Sequence, residues 1–202
     1  WSSDVCSSDL APEILVRHLR QRRVGLETLA RLARIAVAHP DMQVVPDAPA
    51  VDLHGAGFAT TLAAWRAAFA HVVDLWTAAR EEIVTGLCTA TGLRRNIYKP
   101  ETIRTQWAPQ MDAALAVDAP GVCARFEKFA RFASSGLTSA RKQQGTVPVH
   151  PFFDACERLL AVDGDLAQVL DARTLRLRLD LVRYARTEVR RRKQAAHTQA
   201  FD

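Results

Sequence analysis

The sequence predicts an all-α protein, an elongated helical bundle, and three observations carry that prediction. Ala, Leu and Arg are abundant while aromatic residues make up only 7% of the chain, a balance that favours helix over sheet. Apolar residues recur in steps of four and three through Phe58, Leu62, Trp65, Phe69, Val72, Trp76 and Ile83, with Ala79 in the remaining slot. No stretch shows the strict alternation of a half-buried strand.

The elements follow in order. The first ten residues, Trp1 to Leu10, lack an initiator Met and back-translate to TGG AGT TCA GAC GTG TGC TCT TCC GAT CT. That string looks like a common sequencing adapter, so residues 1–10 are expected to be an adapter-derived artefact. Residues 11–202 then carry the fold, and both ends are expected to be cut. Periodicity over 12–38, broken near Gly25 and stopped at His39-Pro40, predicts two short helices. Pro46, Pro49, Gly55 and Gly57 mark a loop from Asp41 to Gly57.

The seam from Phe58 to Ile83 predicts one long helix, ending near Gly92. A basic linker follows with Arg94, Arg95 and Lys99. Pro100 suits the first turn of another helix, which runs to about Val117 with a bend at Pro109. Asp118-Ala119-Pro120-Gly121 reads as a turn. Val122 to Phe132 reads as a helix with Phe126, Phe129 and Phe132 as core anchors. Ser134 to Val149 is a polar, basic loop. Pro151 opens a further helix with Phe152, Phe153, Cys156, Leu159 and Leu160 available for burial. Asp163-Gly164-Asp165 predicts a break, and a last helix over about Leu166 to Ala196 directs Leu175, Leu179, Val182 and Val189 at a neighbour.

The chain of 202 residues is 49% hydrophobic, enough to bury a core. No apolar run approaches the roughly 18–20 residues of a membrane span, so no membrane partner is expected. The net charge of +5 points to a polyanionic partner. With Cys6 set aside, Cys88, Cys123 and Cys156 are an odd number and widely spaced, without a CxxC pair. They are expected to be small packed residues in a reducing, cytoplasmic compartment.

Catalytic motifs are missing from the sequence. None of its glycines is followed by Lys, as a phosphate loop requires. The histidines show neither HExxH nor paired ligand spacing, and there is no GxSxG elbow. His71 falls on the polar side of its helix, and His150 suits an N-cap. Basic clusters are the remaining signal: Arg94, Arg95 and Lys99 in one loop, Arg141 and Lys142 in another. Cations so placed add salt-sensitive, sequence-independent affinity for nucleic-acid phosphates, while the plainer reading is a solvated surface. The Arg190–Lys193 run lies at a helix C-terminus, where cations offset the helix dipole.

Several segments together resemble one family. They are Trp76-Thr77-Ala78-Ala79-Arg80-Glu81, Arg94-Arg95-Asn96, Phe126-Glu127-Lys128-Phe129 and Val149-His150-Pro151-Phe152-Phe153-Asp154-Ala155. Leu159-Leu160 and Glu188-Val189-Arg190-Arg191-Arg192-Lys193 follow, leading into Ala200-Phe201-Asp202. In order and spacing the series resembles the RecB-like helicase–nucleases of exodeoxyribonuclease V complexes, UvrD-like motors of superfamily 1. It covers most of 11–202, although 39–57 matches only loosely and the tip-loop basic positions vary. The resemblance implies a helical insertion subdomain of the first motor domain, incomplete at both ends, with 58–87 as a long helical arm. The whole protein would then be an ATP-dependent DNA helicase and exonuclease acting in double-strand break repair and recombination. ATP and Mg would bind outside these residues, RecC- and RecD-like subunits would be partners of the whole protein, and this piece would contact duplex DNA near the fork. The alternatives are a related AddA- or UvrD-like helicase, and a free-standing helical module whose seam binds a protein partner.

Overall fold

The computed structural model describes residues 7–39, 41, 56–116 and 127–195. Among them the regular elements are all helical. These are α1 (Ser7–Gln21), α2 (Leu26–Ala38), α3 (Ala56–Thr89), α4 (Pro100–Thr102), α5 (Ala108–Leu115), α6 (Ser134–Ser139) and α7 (Pro151–Ala195). The protein is all-α, as its periodicity predicts. It divides into two compact units: a contiguous one, Ala56–Ala167, and one assembled from both flanks, Trp1–Gly55 with Gln168–Asp202. The second half of α7 belongs to the flanking unit.

In the contiguous unit the α3 seam is the core. Phe58, Leu62, Trp65, Val72, Trp76 and Ile83 are buried and Phe69 is half-buried. Their partners come from the same chain. Trp65 Nε1 donates to Asp163 Oδ1 of α7 at 2.9 Å. Trp76 packs on Phe152 of α7 with centroids 5.1 Å apart, and meets Phe132 edge-on at 5.9 Å. Phe152, Phe132 and Trp107 continue this buried aromatic cluster through edge contacts, each of which adds to the stabilisation from burial. The seam is therefore spent inside the chain, and a protein partner would find its apolar residues covered.

Several boundaries differ from expectation. α3 ends at Thr89, short of Gly92, and kinks at Ala79 (φ −134°, ψ 23°). The helix from Pro100 is interrupted by a π turn over Ile103–Trp107, before the expected bend. Pro109 has no N–H to donate, and the ladder widens just ahead of it, with Ala108 N donating to Ile103 O. Of the helix expected over Val122 to Phe132, the described part is a 3-10 turn, Phe129–Phe132, with both phenylalanines buried. Phe126, Cys123 and the turn at Asp118–Gly121 lie outside the described residues, as does most of the loop from Asp41 to Gly57. The polar stretch after Phe132 contains α6, tied to α7 where Ser135 N donates to Glu157 Oε2 at 2.9 Å, and anchored by buried Leu137.

The predicted break at Asp163-Gly164-Asp165 does not occur, and α7 runs through it. A glycine inside a helix costs only about 1 kcal/mol. Burial of Leu159, Leu166 and Leu170 on either side outweighs that, as does the Trp65–Asp163 hydrogen bond. Pro151 does open the helix, and His150 Nδ1 accepts from Phe152 N at 3.1 Å as an N-cap.

The flanking unit packs α1 and α2 with the later part of α7. Ile14, Val24, Ala36, Leu179 and Val182 are buried, while Leu175 and Val189 are half-buried. α1 begins at Ser7, inside the segment set aside as an artefact. The break between α1 and α2 falls at Arg23 instead of Gly25. Arg23 takes a left-handed φ of 55°, Val24 N donates to Leu19 O and Arg23 N to Arg20 O. That is a Schellman ending with Arg at the position usually held by Gly. Gly25 instead precedes α2 in an extended conformation.

Candidate nucleic-acid interface

The interface begins where two chain segments with little in common in sequence meet. After α3 the backbone turns through Thr91–Arg95, and after α6 it passes through Arg141 and bends over Gln143–Gly145. Leu93 and Arg141 form an antiparallel bridge between them. Arg94 N donates to Ala140 O at 3.0 Å, Lys142 N to Gly92 O at 2.7 Å and Gly92 N to Thr146 O at 2.8 Å. Thr146 N also donates to Thr91 Oγ1 at 3.1 Å, and the two threonine hydroxyls are 3.3 Å apart. The two predicted basic loops are thus stitched into one surface.

Two glycines permit that approach. A Cβ at Gly92 would stand 2.8 Å from the Gly145 carbonyl carbon, and one at Gly145 would stand 2.6 Å from Gly92 N. Gly145 also has φ 105°, which other residues rarely adopt. Beneath the stitch, Leu93, Ala140 and Tyr98 are wholly buried. Tyr98 donates its hydroxyl to Arg131 O at 2.8 Å and meets Trp107 edge-on at 5.4 Å. Burial pushes its phenol up to about 12. The loops therefore rest on the aromatic core.

The five predicted site residues divide. Arg94, Lys99, Arg141 and Lys142 are exposed, and none forms an ion pair with a described residue. Arg94 is joined directly to Ala140 through its backbone N–H, while Lys99 follows that turn and precedes Pro100 as the N-cap of α4. Lys142 Nζ reaches Thr91 O at 3.2 Å, which holds its ammonium over the junction. Arg95 is different. It is half-buried and donates from a guanidinium N–H to Cys88 O at 2.7 Å, satisfying an orphan carbonyl at the end of α3. Its first role is to cap that helix.

Sequence reasoning missed the pieces that join the loops: Thr91, Thr146 and the Gly92–Gly145 approach. The available signal was the pairing of a glycine with a threonine in each basic segment. It also left the histidines without carboxylate neighbours, whereas buried His18 lies 2.8 Å from Asp171 Oδ1, which Arg22 also binds. His71 is exposed, as expected, and Cys88 and Cys156 are buried and form no disulfide among the described residues. Among the described residues no three His, Cys, Asp or Glu side chains are grouped to hold a metal ion. No helix among them is long and apolar enough to cross a membrane.

Four cations that form no ion pair with a described residue, three of them at the junction, can neutralise phosphates without reading bases. The chain matches no protein-family model, no curated protein and no solved structure.

Proposed function

We propose that this chain is the helical insertion of a RecB-like, UvrD-type helicase–nuclease, and that it supplies sequence-independent contact to duplex DNA near the fork. One observation carries the DNA reading: the Leu93–Arg141 bridge gathers cations from two remote basic loops onto one surface, free of acidic partners among the described residues. The collinear segments that resemble the family carry its placement in a motor. On this reading ATP, Mg and the nuclease chemistry belong to flanking parts of the whole protein, which the RecC- and RecD-like partners also require. The chain itself positions DNA and catalyses nothing.

Duplex binding by the purified chain, followed by fluorescence anisotropy across a salt series, tests this. Four phosphate contacts give a log–log salt slope of about −3.6. Reversing Arg94, Lys99, Arg141 and Lys142 to Glu should abolish most of the affinity and of the slope. Unchanged duplex affinity at low salt in that variant would return these residues to a solvated surface. ATP hydrolysis by the purified chain would overturn the placement. Reading the genomic DNA on both sides, in frame, for a phosphate loop upstream and an acidic Asp-Glu motif downstream checks it independently.

A further inference from the structure

The stitch between the two basic loops leaves polar hydrogens that the fold does not use. Thr91 Oγ1 accepts from Thr146 N at 3.1 Å, so its oxygen is committed to the backbone while its hydroxyl hydrogen is not. Thr146 is held by its own main chain, through its N on Thr91 Oγ1 and its O on Gly92 N. Its hydroxyl meets only Thr91 Oγ1 among the described residues, at 3.3 Å. Hydroxyl hydrogen bonds are ordinarily about 2.7–2.8 Å long, so this contact is weak and is readily exchanged for a better acceptor.

Lys142 adds charge to the pair. Its Nζ donates to Thr91 O at 3.2 Å, which occupies one N–H of the ammonium and leaves the others without a partner among the described residues. Both hydroxyls and the ammonium therefore meet at Thr91. Neither segment supplies a carboxylate to accept from them, since Asp and Glu are absent from 83–100 and from 128–153. The glycines next to the threonines hold the arrangement, because a Cβ on Gly92 or Gly145 would push the two backbones apart.

A ligand for these donors must be anionic and accept from several directions at once. The tetrahedral oxygens of a phosphate do so, whereas the oxygens of a carboxylate lie in one plane.

We infer that Thr91, Thr146 and Lys142 form a subsite for one phosphate group, with both hydroxyls and the ammonium donating to its oxygens. On the duplex reading this group is a backbone phosphodiester, and the subsite rests on that reading for the source of its phosphate alone.

The amide resonances of the full chain are followed during titration with inorganic phosphate, with chloride holding the ionic strength constant. Saturable shifts should appear at Thr91, Thr146 and Lys142. Thr146→Val removes one hydroxyl and keeps the main-chain bonds, so it should raise the phosphate midpoint at least about three-fold, and Thr146→Ser should restore it. Lys142→Gln, which leaves both threonines in place, should raise the midpoint at least as much. Absence of saturable phosphate shifts would overturn the inference. So would an unchanged midpoint in either Thr146→Val or Lys142→Gln, or acetate that binds as well as phosphate. If the duplex is the source, Thr146→Val should also lower duplex affinity about three-fold with the salt slope unchanged, because no cation is lost. Weakened phosphate binding with unchanged duplex affinity in Thr146→Val keeps the subsite and makes free phosphate its source. The duplex reading fails separately, through unchanged duplex affinity in the four-fold charge reversal.

Discussion

Arg80 and Asp112 form a two-point ion pair across the kink in α3, with Nε to Oδ1 at 2.9 Å and a terminal nitrogen to Oδ2 at 2.7 Å. Trp76 Nε1 donates to the same carboxylate at 2.8 Å, and the Arg80 guanidinium lies 5.8 Å from the Trp76 ring centroid. Ala79, the kinked residue, sits between these two donors. Arg80 foremost, then Trp76, holds Asp112 below the usual carboxylate range. The resulting stability is present above the unfolded carboxyl value near about 4 and is lost as pH falls through the lower folded value. Asp112→Ala should cost about 1–2 kcal/mol, discounted for the partial exposure of the pair. It should also flatten the acid limb of a stability profile measured by urea melts from pH 6 downward. An unaltered acid limb would show that the pair contributes nothing.

Gly145→Ala tests the stitch. The left-handed backbone alone costs about 1–3 kcal/mol for a residue with a side chain, and the new Cβ meets Gly92 N at 2.6 Å. The Gly92 and Lys142 amides should lose hydrogen-exchange protection, and duplex affinity should fall although no charge has changed. Retained protection at both amides would mean the loops are held by something other than this approach.

Tyr98→Phe removes one oxygen and leaves the Arg131 carbonyl without its phenol donor. A loss of about 1–2 kcal/mol in urea stability is expected. In the native protein the phenol stays neutral until about 12, whereas the unfolded chain releases that proton near about 10. Stability is therefore present below about 10 and declines as pH rises towards about 12. The Phe variant should lack that decline.

Arg23→Gly should stabilise the flanking unit. A side chain in the left-handed region costs on the order of 1 kcal/mol, partly offset by the greater freedom of Gly in the unfolded chain. A net gain of about 0.5 kcal/mol, or a Tm rise of roughly 1–2 °C, is expected for a chain of this length. A lower Tm would mean that Arg23 contributes contacts that outweigh its backbone cost.

How far the sequence carried these results depended on the range of the interaction. The α3 seam was legible because burial repeats along one helix, and Trp65, Trp76 and Ile83 announce it locally. Pro151 and His150 were legible because capping is local chemistry. Gly164 misled because two aspartates and a glycine are a turn signal taken alone, and the helix continues through burial of its leucines and a hydrogen bond from Trp65, nearly a hundred residues earlier. The same limit applied to the interface. Arg94 and Arg141 were named as basic residues, but their meeting is made by backbone pairing between Leu93 and Arg141. The capping role of Arg95 was not legible because its carbonyl partner, Cys88 O, becomes available only where α3 stops.

The division of α7 between two units sets an order for events during synthesis. The contiguous unit, Ala56–Ala167, is complete once its last residue leaves the ribosome. The flanking unit is not: His18 must wait for Asp171, which follows 153 residues later. At roughly 5–20 residues per second, α1 and α2 spend about 8–30 s without their partner helix. The cleft between the ends of α2 and α7 therefore forms after the junction of the two basic loops.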